Sequence, residues 1–145
     1  MKNIQVKVAE SDALYQQCLS IRFTVFVEEQ NVPREIEVDR YENTCVHFLL
    51  TDDADTPLGT VRYRTIDDEL IKVERMAVLK EARGHGYGYD LMNAVHEHAR
   101  AAGYKKAKLG GQVQAIPFYE KLGYVVDSDI FDDAGIPHKY MVKDL

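Results

Sequence analysis

Arg83-Gly84-His85-Gly86-Tyr87-Gly88 is the stretch whose reading decides the fold of this chain. It follows an apolar run that ends in Met76-Ala77-Val78. It opens a segment, Gly86 to Ala102, in which Leu91, Val95, Ala99 and Ala102 recur on one helical face, with Gly103 where a C-terminal cap belongs. A strand, a glycine turn and a helix in that order make an anion cradle. The helix N-terminus has unpaired N–H groups and the positive end of its dipole. Glycines let the backbone come close to a ligand, and Arg83 adds a charge suited to phosphate. The pattern fits a pyrophosphate; a glycine-rich turn with no ligand is the alternative. The triphosphate loop needs Gly-Lys-Ser/Thr at its end, whereas Tyr89-Asp90 follows Gly88. The dinucleotide fingerprint needs the first strand of a parallel unit, and Gly84-x-Gly86-x-Gly88 is too tightly spaced for it.

Outward from this turn the chain alternates between strands and helices. Asn3 to Ala9 alternates apolar and polar residues as a strand does. Ser11 or Asp12 caps a following helix with Leu14, Cys18 and Ile21 on one stripe, which runs toward Phe26 and is broken by Asn31-Val32-Pro33. Thr44 to Thr51, Leu58 to Ile66 and Leu70 to Val78 read as three strands with short turns, an antiparallel meander. After the long helix come a short strand (Lys106 to Leu109), a short helix (Ala115 to Leu122) ended by Gly123, and a last strand around Tyr140 to Val142. The class is mixed α/β, a meander followed by a βαβ-like crossover.

A chain of 145 residues, 46% hydrophobic and 29% charged, fits one globular domain spanning residues 1–145. No apolar run reaches bilayer length, and the start lacks the apolar segment of a signal peptide. Two cysteines are too few for a disulfide framework, so Cys18 and Cys45 read as core residues of a cytoplasmic protein. A net charge of −6 disfavours nucleic acid and suits a cationic acceptor.

The stretch Met76 to Gly88 resembles the acyl-coenzyme A motif of the GNAT superfamily of N-acyltransferases, with Arg83, Gly86 and Gly88 at its three defining places. Phe118-Tyr119-Glu120-Lys121-Leu122-Gly123-Tyr124 resembles the second GNAT motif. Arg22-x-x-Val25-Phe26-Val27-x-Glu29-Gln30-x-x-Pro33, His47 and Ala134-Gly135-Ile136-Pro137-His138 extend the similarity to a bacterial GNAT branch. The resemblance implies a mostly antiparallel, splayed sheet flanked by helices, and transfer of an acetyl group from acetyl-CoA to a primary amine, without a metal. It implies that the backbone of Met76, Ala77 and Val78 pairs with pantetheine, that Arg83, Gly84, His85, Gly86, Tyr87 and Gly88 hold the pyrophosphate, and that Ala115 and Phe118 line the donor's edge. Where many members carry an Asn before the second motif, this chain has Leu109-Gly110-Gly111-Gln112, and Gln112 or Gln114 are the substitutes. The acceptor, a small-molecule or protein amine, is not named by the resemblance. Members often form homodimers, while the sequence itself leaves the oligomeric state open. A non-catalytic acyl-CoA sensor is the alternative function, and an acyl-homoserine-lactone synthase a third.

Amine attack on a thioester needs a proton acceptor, an oxyanion donor and a proton donor for the thiolate. Glu74 is the candidate base; alternation places it on one face with Met76 and Val78, and its other reading is a carboxylate paired with Arg62 or Arg75. By family similarity the Val78 N–H is the oxyanion donor and Tyr119 the acid; the other reading of Tyr119 is packing. Arg62 and Arg64 share a strand face and either bind an acidic group on the acceptor or pair with Glu74. Glu28, Glu29 and Gln30 either border the acceptor cleft or solvate a helix end. His47 and His138 rank second as site residues. His96 and His98 lie two apart on a helix, which points them to different sides and argues against a metal pair. Asp127, Asp129, Asp132 and Asp133 lack the calcium-loop pattern and read as a solvated turn or an acidic rim.

Overall fold

The computed structural model describes residues 3–34 and 39–145. Met1 and Lys2, part of the start weighed above for a leader, lie outside them. Strand β1 (Ile4–Val8) leads into helix α1 (Asp12–Arg22), whose N-cap is Ser11; its hydroxyl accepts the Leu14 N–H at 3.2 Å. The helix does not stop at Arg22. It continues as a π-helix over Phe23–Glu29, closed by Gln30 N–H donating to the Val25 carbonyl, and Asn31 at φ 61° ends it. The meander is β2 (Val46–Asp52), β3 (Pro57–Thr65) and β4 (Leu70–Val78), with β1 on the outer edge of β2. Helix α2 (Tyr87–Ala101) then crosses to β5 (Lys106–Gln112), parallel to β4. Helix α3 (Ile116–Lys121), β6 (Val125–Val126), β7 (Phe131–Asp133) and β8 (Ile136–Asp144) complete the chain. The sheet order is β1-β2-β3-β4-β5-β8-β6, with β7 also on β8. The expected splayed, mostly antiparallel sheet is the one found. Strands β5 and β8 are both longer than the expected Lys106–Leu109 and Tyr140–Val142. Gly110, Gly111 and Gln112 look like a turn, but they pair with Tyr140, Lys139 and His138.

Each face of the sheet has its own apolar layer. Leu91, Met92, Val95 and Ala99 of α2 and Tyr119 of α3 cover Phe48, Leu50, Val61, Tyr63, Ile71, Val73 and Leu109. On the opposite face, Cys18 and Ile21 of α1 and Val25 meet Leu49 and Ala77. Burial raises the Cys18 thiol and pushes Cys45 up to about 11, so neither is a ready thiolate. Among the described residues, no helix is long and apolar enough to cross a membrane.

Two irregularities in β4 position everything that follows. Its pairing with β5 runs only from Leu70↔Lys106 to Val73↔Leu109, after which the two strands part. Arg75 has φ 57°, and the register with β3 slips between Thr60 and Arg62. This bulge breaks the simple alternation. Met76 and Val78 pack with the α2 layer, Ala77 with the α1 layer, and Glu74 lies opposite Arg62 on the α1 side. Glu74 therefore does not share a face with Met76 and Val78, as strict alternation predicts. The extra residue moves the side chains beyond it to the other face.

A buried ion network stands on the α1 face. Arg22 grips Glu42 with both terminal nitrogens at 2.8 Å, and Arg62 reaches Glu42, Asp39 and Glu74. Burial alone raises the Glu42 carboxyl, but Arg22 outweighs it, helped by Tyr15 and Arg62, and the group is held at about 2. His96 and His98 do point apart: His96 Nε2 meets the Tyr124 hydroxyl and His98 Nδ1 the Tyr63 hydroxyl, each at 2.7 Å. Burial lowers His96 to about 4.

Two outcomes are expected. Glu42→Ala leaves two buried guanidiniums without their shared carboxylate and should cost about 3–5 kcal/mol in urea unfolding. His96 is neutral in the fold, while in the unfolded chain it takes a proton near pH 6.5. Its contribution is therefore present above pH 6.5 and declines as pH falls toward 4, by about 2 kcal/mol between pH 7.5 and 5. In chemical denaturation at several pH values, His96→Gln should flatten that part of the curve.

Candidate functional site

The parting of β4 and β5 opens a cavity of about 910 Å³. It is a ligand-sized volume, and it reaches both faces of the sheet. On the α2 side its wall is Met76, Val78, Gly84, Gly86, Gly88, Ala115, Phe118 and Tyr119; on the α1 side it includes Val25, Gln30, Asp39, Tyr41, Arg64, Lys72 and Glu74. The β7–β8 hairpin closes the far end with Phe131, Asp133, His138 and Tyr140.

Beyond Val73, β4 has β3 on one edge and the cavity on the other. Leu79 N–H donates to the Leu58 carbonyl on the β3 side. Backbone alternation therefore turns the N–H and C=O of Val78 toward the opening. Arg83 Nε already donates to the Val78 carbonyl at 3.0 Å. A strand edge with no neighbouring strand leaves its backbone donors and acceptors to water or a ligand.

The glycine turn closes the α2 end of the cavity. Gly84 and Gly86 have φ 85° and 78°, backbone that L side chains rarely adopt. Gly86 is the N-cap of α2, so the turn sits at a helix N-terminus, whose dipole end and backbone N–H groups suit an anion. A Cβ on Gly88 would stand 3.0 Å from the Phe118 ring; the two motifs touch here. Arg83, Met76, Ala77, Val78, Gly84, Gly86, Tyr87, Gly88, Ala115 and Phe118 all line the cavity. His85 is exposed and stacks on Tyr87 outside it. The Arg83 guanidinium forks onto Glu29 at 2.7 and 2.6 Å, which holds the Glu29 carboxyl below its ordinary range. This pair is open to solvent, with 43% and 35% of the two side chains exposed. Such pairs are weak, so a phosphate can take Glu29's place.

Tyr119 is 9% exposed and lies against Gly111, where a Cβ would meet its ring at 3.2 Å. Burial pushes its hydroxyl up to about 12, so it keeps its proton at neutral pH. Among the described residues none hydrogen-bonds that hydroxyl. Glu74 accepts from Arg62 at 2.9 Å and Arg64 at 3.2 Å, with Lys72 at 3.4 Å. Burial raises Glu74, but Arg62, then Lys72 and Arg64, hold it below the ordinary carboxylate range. Arg62 is fully buried behind the wall, whereas Arg64 lines it.

Gln112 and Gln114 both reach the cavity. The amide of Gln112 pairs with that of Gln30 at 2.9 Å, bridging the π-helix to β5. His138 is buried on the wall, its Nδ1 at 2.7 Å from the Ile136 carbonyl. His47 is bound to the Glu42 carbonyl, away from the cavity wall. Asp132 caps the hairpin turn through the Gly135 N–H. Asp39, Tyr41, Lys72, Phe131 and Tyr140 also line the cavity, and no sequence motif singles them out. Lys72 alternates with Glu74 on the strand, which was the one available signal.

A family model described as Acetyltransferase (GNAT) domain matches residues 9–145. An uncharacterized N-acetyltransferase of Bacillus subtilis, YjcF, is 41% identical over 138 residues, covering 94% of this chain and 97% of YjcF. A crystal structure from Lactobacillus plantarum superposes with a TM-score of 0.92 at 30% identity, covering 99% of both chains. A GNAT family acetyltransferase from Elizabethkingia anophelis, solved with acetyl-CoA bound, shares the fold at a TM-score of 0.75 and 18% identity, over 100% of both chains. Matched over nearly its whole length and with a relative this similar, the chain belongs to the GNAT acetyltransferases and is an acyltransferase.

Proposed function

We propose that this protein transfers an acetyl group directly from acetyl-CoA to the primary amine of an acceptor. The observation that carries the reading is the open β4 edge, which runs along the cavity to the glycine turn. The Elizabethkingia structure with acetyl-CoA bound supports the same choice of donor. In this reading, Met76 and Val78 pair with the pantetheine amides, and the amides of the Gly84 to Gly88 turn, with Arg83 freed from Glu29, take the pyrophosphate. The donor enters from the α2 side and the amine from the α1 side. Attack on the thioester carbonyl puts negative charge on its oxygen, which an N–H on the cavity-facing edge of β4 meets beyond the pantetheine amides. As the carbon–sulfur bond breaks, the thiolate takes a proton from the Tyr119 hydroxyl, which still holds one at neutral pH; the attacking nitrogen gives its proton to solvent and the tyrosinate regains one from solvent, so the products are the amide and the free thiol of coenzyme A. Glu74, the candidate base, is a weak proton acceptor while three cations surround it; we assign it to placing those cations. Cys18 and Cys45 are not needed, since direct transfer forms no acyl-enzyme.

The test is free-thiol release from acetyl-CoA across a panel of amines. Tyr119→Phe should lower kcat by about a hundredfold or more with acetyl-CoA affinity little changed. Tight acetyl-CoA binding without release above hydrolysis for any amine favours a sensor instead. Glu29→Gln, which removes the competitor for Arg83, should tighten acetyl-CoA by about two- to fivefold in calorimetry. Weaker binding in that variant contradicts the assigned role of Arg83.

A further inference from the structure

Among the described residues, the β3–β4 wall in the α1 half of the cavity presents Arg64, Lys72 and Arg75 beside Glu74. Arg64 and Lys72 are directly opposed across the two strands, and their side chains are only 18% and 23% exposed. Both are held by one carboxylate, Glu74. Arg62 reaches the same Glu74 from behind the wall, and Asp39, shared with Arg75, and Glu42, shared with Arg22, answer it from the other side.

The donors that remain point to a ligand. Only Nε of Arg64 is used by Glu74. Its guanidinium lies 4.0 Å from the centre of the Tyr41 ring, which restrains the fork, and among the described residues none accepts from its terminal N–H groups. The Lys72 ammonium sits between Glu74, at 3.4 Å, and the Tyr140 ring, at 5.8 Å. Lys108 stands over the same ring at 4.2 Å. Tyr140 in turn stacks on Phe131 at 4.3 Å, and Asp133, beyond them on the hairpin, lines the same cavity. A fixed guanidinium fork beside an ammonium matches the two oxygens of a carboxylate.

We propose that Arg64 and Lys72, held in place by Glu74, bind a carboxylate on the acceptor, so that the acceptor is an amino-acid-type molecule carrying both an amine and a carboxylate. This rests on the N-acyl-transfer reading given above. The carboxylate sits on the wall between Tyr41 and Tyr140, and the amine reaches across the split toward Val78 and Tyr119. Glu74 is then a positioning residue.

The experiment measures thiol release from acetyl-CoA by the wild-type protein. The acceptors are α-amino acids and ω-amino acids of increasing length, each beside its carboxamide, with phosphoethanolamine as a phosphate-bearing amine. The acids should exceed their amides in kcat/KM by about tenfold or more, even though an α-amino amide has the less basic amine and more of it is unprotonated. Arg64→Gln and Lys72→Met should each raise KM for the acid by about tenfold and bring the acid-to-amide ratio toward one. Acetyl-CoA calorimetry on the same samples reports whether each variant is folded. Amides used as well as acids, no acid used while acetyl-CoA binds, or phosphoethanolamine preferred to every acid each overturn the proposal. Failure of wild type to bind acetyl-CoA overturns the parent reading instead.

Discussion

Beyond Val73, strand β4 has only one hydrogen-bonded neighbour, and most of the site follows from that. A strand in the middle of a sheet satisfies both edges of its backbone. Here β5 turns away after Leu109, and the second edge of β4 faces a cavity. Several features keep it open. Tyr119 lies against Gly111 on one side, and the Gln30–Gln112 amide pair ties β5 to the π-helix on the other. The glycine turn then places the N-terminus of α2 at the end of the exposed edge, so a ligand with amides in its middle and a pyrophosphate at one end has a partner for each part.

The bulge at Arg75 divides labour between the two sides. A left-handed non-glycine residue costs about 1–2 kcal/mol. Its effect is to put Glu74 with the ion network on the α1 face while Met76 and Val78 face α2. Donor chemistry and acceptor recognition therefore use one strand without crowding one face. The network behind it, with Glu42 shared by Arg22 and Arg62, anchors α1 and the segment around Asp39 to Glu42 against β3. It is expensive to desolvate, so its retention fits a role in fixing geometry rather than in adding stability.

Much of this was legible in the sequence, for physical reasons. The Arg83 to Gly88 turn was readable because its backbone at Gly84 and Gly86 strongly favours glycine. Strand β4 showed its full length because its pattern is bounded by turn residues. The Phe118-Tyr119 motif marked a wall of the cavity because its spacing from the turn is set by a helix and a strand. Other features depend on tertiary contacts. Arg75 gives no local sign that it is left-handed, so alternation misplaced Glu74. Phe23 to Glu29 reads as ordinary helix, because π-helical winding is set by what the segment packs on. Gly110-Gly111 looked like the end of β5, although β8 pairs with both residues. The partners of Arg62 and Arg64 lie 10 to 23 positions apart in the chain, too far for any periodicity to reveal.

The most direct measurement of the central claim is an amide-resolved NMR titration with acetyl-CoA. The account predicts large shifts at Met76, Ala77, Val78 and Gly84 to Gly88, saturating together, with Ile4 to Val8 on the outer strand unchanged. Saturating acetyl-CoA that leaves the β4 edge and the glycine turn unshifted, or moves residues elsewhere instead, contradicts it.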